Sequence, residues 1–159
     1  MSNEFKDWLS DFTAEQRKNY DLCMKYPILL PRDDAEFCYE YTKLDFFPEG
    51  WKKAFGEQWA KDVQEAIDKL PINTKREAYI LDIKEKFGQL RVFLSVFSEE
   101  LEAVLKKYEK LSESICCQCG KSKIAGFGGW FSYLCNDCEQ ELMKRRKILR
   151  GWADADSQN

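Results

Sequence analysis

Residues 115–138 read ICCQCGKSKIAGFGGWFSYLCNDC and hold five of the seven cysteines in this 159-residue chain. Cys116 and Cys119 form one CxxC pair, and Cys135 and Cys138 form a second pair after fifteen intervening residues. The tight turn of a CxxC pair directs both thiolates towards one point and leaves backbone N–H groups facing the sulfurs. Two such pairs supply the tetrahedral sulfur set that zinc prefers, so this stretch predicts a Zn²⁺ site.

The position of a third nearby cysteine makes the choice of ligands less direct. Cys117 and Cys119 are separated by one residue, a spacing that does not usually give knuckle geometry, whereas Gly120 suits the left-handed position that closes a knuckle after Cys119. Buried reduced cysteines are the alternative to a metal site, but they leave the repeated spacing unexplained. Iron is also compatible with four sulfurs, although zinc is commoner. The predicted ligands are Cys116, Cys119, Cys135 and Cys138, and the predicted core cysteines are Cys23, Cys38 and Cys117.

The order of elements around the cysteines is typical of a treble clef. The first knuckle is followed by a predicted short hairpin, GFGGWFSYL at 126–134, and the second pair opens a predicted helix. Because all four positions are cysteine, the metal has no open coordination site, which indicates a structural role and not a catalytic one. We expect the apolar side chains of the last helix to pack back on the body: Leu142, Met143, Ile148 and Leu149.

Upstream of the cysteines, hydrophobic periodicity predicts helices and one hairpin. The expected helices cover 4–25 (with a break near 10–13, where Thr13 and Gln16 form a capping box), 51–69 and 98–112, and the hairpin covers 77–97 with its bend at Phe87-Gly88. In the first strand we expect one face to carry Tyr79, Leu81, Ile83 and Glu85. In the second strand we expect one face to carry Leu90, Val92, Leu94 and Val96.

Together these elements predict an α+β fold, in which helices pack on a small antiparallel hairpin and a treble-clef-like zinc module follows at the C-terminal end. The length suits one domain with a small appendage. We therefore expect a body over 1–111, a zinc module over 112–150 and a flexible tail over 151–159.

Composition restricts the location and the partners of the protein. The sequence has neither a signal-peptide pattern at its start nor a run approaching eighteen apolar residues, so we expect a cytoplasmic protein with reduced thiols and no membrane contact. The net charge is −3, and residues 111–150 carry seven Lys or Arg against four Asp or Glu. Four thiolates on one Zn²⁺ would nearly cancel that excess, which makes the electrostatic case for nucleic acid weak.

Four segments of the sequence, in this order and spacing, resemble a family of small phage and prophage proteins of unknown function. They are FPEGW at 47–51, DIKEKFGQLRVFLS at 82–95, SESICCQCG at 112–120 and GGWFSYLCNDC at 128–138. The resemblance implies a viral or mobile-element origin and a metal site, but no activity and no catalytic residue. Many members carry histidine at the last ligand position, where this chain has Cys138.

The absence of histidine from the chain restricts its chemistry further. Serine and cysteine triads, zinc deaminase sites and treble-clef nuclease sites all use a histidine. Asp33, Asp34 and Glu36 are the only clustered acids that suggest carboxylate-only metal catalysis, and such a run is more often solvated surface. We therefore expect no catalytic residue and no enzymatic activity.

The expected function is binding to another protein, which for a phage protein would be a host or defence factor. The alternative is a nucleic-acid-binding accessory protein that uses the zinc module and the basic last helix. Each candidate binding feature also has a purely structural explanation. The tryptophan of the glycine-rich turn could shield the metal, the polar hairpin residues could form a solvated turn, and the cations of the last helix could complement the helix C-terminus. The candidate partner-binding residues are Lys84, Lys86 and Arg91 on the hairpin, Trp130 in the glycine-rich turn, and Arg145 and Arg146 on the last helix.

Overall fold

The computed structural model describes residues 8–32, 37–123 and 133–156, and it has the α+β architecture expected from the sequence. Helices pack around one two-stranded antiparallel sheet. The elements are 3₁₀ helices at Trp8–Asp11, Pro27–Leu29 and Lys43–Phe46; helices α1 (Ala14–Lys25), α2 (Glu57–Asp68), α3 (Ile72–Arg76), α4 (Glu99–Ser112) and α5 (Asn136–Asp156); and strands β1 (Ile80–Lys86) and β2 (Gln89–Leu94).

Helix α1 begins just after the predicted break. Thr13 Oγ1 accepts a hydrogen bond from the Gln16 backbone N–H at 3.1 Å, and Gln16 Oε1 accepts one from the Thr13 N–H at 2.9 Å. This capping box provides partners for N–H groups at the start of the helix, where intrahelical acceptors are lacking. The predicted box is confirmed, and the part of the predicted helix over 4–7 lies outside the described residues.

The core is built on one face of α2 and of the turns that lead into it. Residues Glu49–Trp51 form an α-helical turn and Lys52–Gly56 form a π-helical turn, which continue directly into α2. Two tryptophans of this stretch are fully buried, and each removes on the order of 200 Å² of largely apolar surface from water. The predicted helix over 51–69 is therefore confirmed in its extent and in its buried face, which carries Trp51, Phe55, Trp59, Val63, Ala66 and Ile67.

The predicted hairpin is present, but a β-bulge changes the order of side chains on its first strand. The bulge lies between Ile80 and Asp82, and it breaks the alternation of inward and outward residues. Ile80 and Ile83 both pack against the core, whereas Leu81 is 56% exposed, so the expected grouping of Leu81 with Ile83 is wrong. On the second strand the expected core-facing set is confirmed: Leu90, Val92, Leu94 and Val96.

Helix α4 packs against both α2 and β2. Ser98 Oγ accepts from the Leu101 backbone N–H at 3.0 Å and so caps the start of this helix. Asp62 of α2 accepts hydrogen bonds from the Tyr108 hydroxyl at 2.6 Å and from Lys107 Nζ at 2.8 Å. Because Tyr108 is buried, this carboxylate provides its hydroxyl with a partner and ties α4 to α2.

Helix α5 is longer and less packed than the sequence suggested. It continues to Asp156, so the first part of the expected tail over 151–159 is helical. Leu142 is half-buried, but Met143, Ile148 and Leu149 are 43%, 54% and 59% exposed, so the expectation that they pack on the body is wrong. The cysteine pair holds the start of this helix, and the residues over 143–152 are exposed. In the described part of the chain, no helix combines the length and the apolar character needed to cross a membrane.

Candidate metal centre

The four predicted ligand cysteines lie together in one cluster. The Sγ atoms of Cys116, Cys119, Cys135 and Cys138 are all within 4.8 Å of one another, and Cys119 Sγ is 3.7 Å from Cys135 Sγ. Four sulfurs at ~2.3 Å from a central zinc ion, placed at the corners of a tetrahedron, are ~3.8 Å apart. The cluster therefore has the size and the donor set of a tetrahedral metal site, and Zn²⁺ fits it.

Backbone hydrogen bonds close the first knuckle. The Gly120 N–H donates to the Cys116 carbonyl at 2.9 Å, and the Cys116 N–H donates to the Lys121 carbonyl at 2.8 Å. Gly120 has φ +79°, the left-handed conformation that glycine adopts without a steric penalty, as predicted. The knuckle is thus fixed by its own backbone.

The second pair of ligands sits at the beginning of α5. Cys135 directly precedes the helix and accepts, through its carbonyl, a hydrogen bond from the Glu139 N–H at 2.9 Å. Cys138 lies in the first turn, where unsatisfied N–H groups and the helix dipole favour negative charge. The second pair therefore lies where a helix end complements the negative charge of metal-bound sulfurs.

The thiols of the cluster differ in acidity. Burial would raise the pKa of Cys116, but backbone N–H groups of Cys119, Cys135 and Gln118 stabilise its thiolate and lower the pKa to about 6. Burial, together with the neighbouring thiols, raises the pKa of Cys119 and of Cys138. A divalent cation would displace the protons of these crowded thiols and neutralise the charge that results.

The first knuckle is hydrogen-bonded to the turn that precedes α2. The Gly50 N–H donates to the Cys117 carbonyl at 2.7 Å, and Trp51 Nε1 donates to the Ile115 carbonyl at 2.8 Å. Since Trp51 is fully buried, this second bond connects the knuckle directly to the core. The cysteine cluster is therefore held by the body as well as by its own turns.

Only glycine fits at position 50. A Cβ atom added to Gly50 would lie 2.3 Å from the Cys116 carbonyl oxygen and 2.5 Å from the Gly120 nitrogen, far inside contact distance. Sequence reasoning missed this role of Gly50, because the contact joins residues about seventy positions apart. The one available signal was its occurrence in the FPEGW segment of the family resemblance.

The remaining cysteines do not enter the cluster. Cys117 packs against the core, and burial raises its pKa to about 12. Cys23 is completely buried in α1, and burial raises its pKa to about 11. Both positions agree with the prediction that they are core residues. Cys38 is exposed, so its assignment to the core is wrong.

Three of the sequence-based expectations fall outside the described residues. The predicted clef hairpin over 126–134 lies mostly in 124–132, and it includes Trp130. The acids Asp33, Asp34 and Glu36 lie in 33–36. In the described part of the module, a single antiparallel bridge joins Ile115 to Ser122 on either side of the first knuckle. What the structure establishes is the cysteine cluster, and the treble-clef arrangement stays a prediction.

The hairpin lysines are exposed at the tip of the sheet. Lys84 Nζ is 2.8 Å from Asp82 Oδ2 and 5.2 Å from the Phe93 ring centroid. Lys86 Nζ is 5.7 Å from the centroid of the Phe87 ring, which lies in the turn itself. These contacts leave both lysines on the surface.

The candidate arginines occupy two different environments. Arg91 is half-buried and pairs with Glu109 of α4 at 3.0 Å, so in this structure it joins the sheet to a helix. Arg145 pairs with Glu141 one turn earlier at 3.4 Å on the exposed α5, and Arg146 is also exposed. Among the predicted site residues that the structure describes, only the four cysteines converge on one point.

Comparison of the chain with protein-family models, with curated proteins and with solved structures found no match. Its class is therefore defined by the fold and the site alone. It is an α+β protein in which a four-cysteine cluster, suited to one metal ion, is packed against the core.

Proposed function

We propose that this chain is a non-enzymatic, zinc-stabilised binding protein that recognises another protein through the tip of its hairpin. The observation that carries the proposal is the conformation of Phe87. Its φ is +53°, in the left-handed region, and its side chain is 86% exposed. Neither property stabilises the folded chain, so we infer that the ring serves a contact outside it.

The turn at the tip of the hairpin has a conformation that disfavours a bulky residue. Phe87 and Gly88 both have positive φ, the pattern of a type I′ turn, for which Asn-Gly is the preferred sequence. A left-handed conformation costs a bulky residue about 1–2 kcal/mol, and an exposed aromatic ring recovers little of this cost through burial. Large, rigid aromatic side chains are typical anchors of protein interfaces.

Charge around the ring indicates the chemistry of the partner. Lys86 Nζ lies 5.7 Å from the Phe87 ring centroid, and Lys84, which pairs with Asp82, is exposed two residues earlier on β1. The tip therefore combines one aromatic ring with exposed cations. An apolar pocket bordered by acidic residues would complement this surface. Arg91 is not part of the proposed surface, because it is half-buried and joins the sheet to α4 through Glu109.

The closed coordination of the four-cysteine cluster supports the non-enzymatic part of the proposal. Four cysteines fill a tetrahedral coordination sphere and leave no position for a substrate or a reactive water. We propose that the ion is Zn²⁺ and that it holds the C-terminal segment on the core. Reduced cysteines suit the cytoplasm, and the resemblance to phage proteins suggests a host or defence factor as the partner.

The test exchanges the aromatic ring for the residue that the turn prefers. Phe87→Asn should leave the free energy of unfolding unchanged or raise it by up to about 1 kcal/mol, because Asn tolerates the left-handed conformation. The same variant should lose the partner in affinity capture from bacterial lysate, with captured proteins identified by mass spectrometry.

The matched control is Phe97→Ala, which removes another exposed phenylalanine, 69% exposed, that lies outside the turn. Phe97→Ala should still capture the partner. This result would exclude the possibility that any exposed aromatic ring captures proteins non-specifically. Equal capture by wild type and Phe87→Asn, or no specific capture by wild type, would contradict the proposal.

Nucleic-acid binding is a second candidate, favoured by the exposure of cations on α5. Every residue over 143–150 is exposed, and this stretch contains Lys144, Arg145, Arg146, Lys147 and Arg150. Binding through these side chains should weaken steeply as salt increases, since phosphate contacts release counterions. A gel shift titrated with salt distinguishes the candidates, because absent or salt-insensitive binding removes this one.

A further inference from the structure

A cleft lies at the base of the hairpin, and neither the turn residues nor the cysteines line it. It has a volume of about 760 Å³ and is lined by residues from separate segments: Arg32, Lys43, Arg76, Glu77, Tyr79, Ile80, Leu81 and Ser95. Three cations and one carboxylate therefore face one space, in a chain whose net charge is negative. An excess of positive charge in a concave site attracts anionic ligands.

The two arginines of the cleft lack internal counter-charges in the described part of the chain. Neither Arg32 nor Arg76 forms an ion pair there, whereas Lys75, next to Arg76, pairs with Asp68 at 2.6 Å. Arg32 Nη1 donates to the Arg76 carbonyl at 2.8 Å, which holds the Arg32 guanidinium at the edge of the cleft. Among the described residues its side chain makes no other hydrogen bond, and guanidinium groups bind phosphate in a bidentate manner.

The cleft also has an accessible apolar part, and a serine fixes the backbone beside it. Tyr79 is 39% exposed and Leu81 is 56% exposed, so a ring and an alkyl group form an accessible surface. Ser95 Oγ accepts from the Tyr79 N–H at 2.8 Å and donates to the Glu77 carbonyl at 2.7 Å, which fixes the backbone that carries the tyrosine. Flat rings stack on such aromatic side chains.

We propose that this cleft binds a small phosphate-bearing ligand with a flat ring, the chemistry of a mononucleotide. Arg32 and Arg76 bind the phosphate, and Tyr79 contacts the ring. The site is separate from the hairpin tip, so it neither requires nor replaces the proposed protein partner.

The test is calorimetric titration of the full zinc-loaded chain with adenosine monophosphate, inorganic phosphate and adenosine. Saturable binding of the nucleotide, tighter than that of either fragment, is the expected result. Arg76→Gln should weaken it by about tenfold or more, the usual effect of losing a hydrogen bond to a charged group. Tyr79→Leu should weaken nucleotide binding and leave phosphate binding unchanged.

Arg17→Gln is the matched control, since the Arg17 guanidinium also donates to one backbone carbonyl, that of Ser10 at 3.1 Å, outside the cleft. It should bind the nucleotide as wild type does. Absence of saturable binding to wild type, or undiminished binding to Arg76→Gln, would overturn the proposal.

Asp33, Asp34 and Glu36 follow Arg32 in the sequence, so a variant with all three neutralised is also titrated. Binding by that variant alone would mean that the chain's own acids compete for the cleft, which also overturns the proposal.

Discussion

At Gly50 the backbone of the body is in direct contact with the first knuckle. Gly50→Ala should lower the free energy of unfolding by about 2–3 kcal/mol, because the new Cβ would force the knuckle backbone away. The same displacement should weaken metal retention, since it moves the Cys116 carbonyl and Gly120 next to the ligands. Denaturant titration and metal analysis of the purified variant measure both effects.

Gly56 provides the control for that substitution. A Cβ at Gly56 would meet its nearest neighbour, a side-chain carbon of Leu44, at an ordinary 3.5 Å. Gly56→Ala should therefore be neutral or stabilising by up to about 1 kcal/mol, because alanine favours helical conformation. Similar losses of stability in both variants would contradict the proposed close packing.

At the same scale, the ligand cysteines could be predicted and Gly50 could not. Metal-binding pairs are local patterns, in which spacing alone directs two thiolates to one point. The need for glycine at position 50 arises from backbone that is distant in sequence and meets it only in the folded state. Cys38 illustrates the same limit, because residue type favours burial and the fold leaves it exposed.

At the scale of elements, the contact between α2 and α4 depends on Asp62. Burial would raise the pKa of Asp62, but hydrogen bonds from Lys107, Tyr108 and Gln58 outweigh it and lower the pKa below the ordinary 3.8. Because the folded-state pKa lies below the unfolded one, this stabilisation is present above pH ~4 and is lost as pH falls through the folded-state value.

Asp62→Asn should lower the free energy of unfolding by about 1–2 kcal/mol at neutral pH and by less in acid, where protonation removes part of the wild-type carboxylate's stabilisation. Urea denaturation at pH ~7 and pH ~3 gives the comparison. Glu100→Gln is the control, because its partner is the exposed Lys69 and such surface pairs contribute about 0–1 kcal/mol. A deficit for Asp62→Asn that is the same at both pH values would disprove this role.

The elements themselves were predictable where their patterns are regular. Segments rich in β-branched and aromatic residues predicted the hairpin, and apolar residues at a period of 3.6 predicted α2. The bulge between Ile80 and Asp82 was not predictable from that pattern. The bulge lets both Ile80 and Ile83 pack against the core, and this packing is visible only in the folded chain. For α5, apolar residues suggested a packed face, but the pattern does not say whether another element lies close enough to cover it.

At the scale of the whole molecule, the knuckle and the core should respond together to loss of metal. Removal of zinc by a chelator should shift the NMR signal of the Trp51 indole N–H, because its hydrogen bond to the Ile115 carbonyl connects the two. The Trp152 indole, 67% exposed on the far part of α5, is the internal control and should change little. An unchanged Trp51 signal in verified metal-free protein would show that the cluster and the core are independent.

The central claim is that four cysteines hold one zinc ion, and native mass spectrometry of the purified chain with its matched variants tests it most directly. We predict one zinc per chain for the wild type and for Cys117→Ser, and loss of the ion from Cys119→Ser, whose sulfur lies 3.7 Å from that of Cys135. A wild-type chain without metal, or a Cys119→Ser chain that keeps zinc as tightly as wild type, would contradict the account.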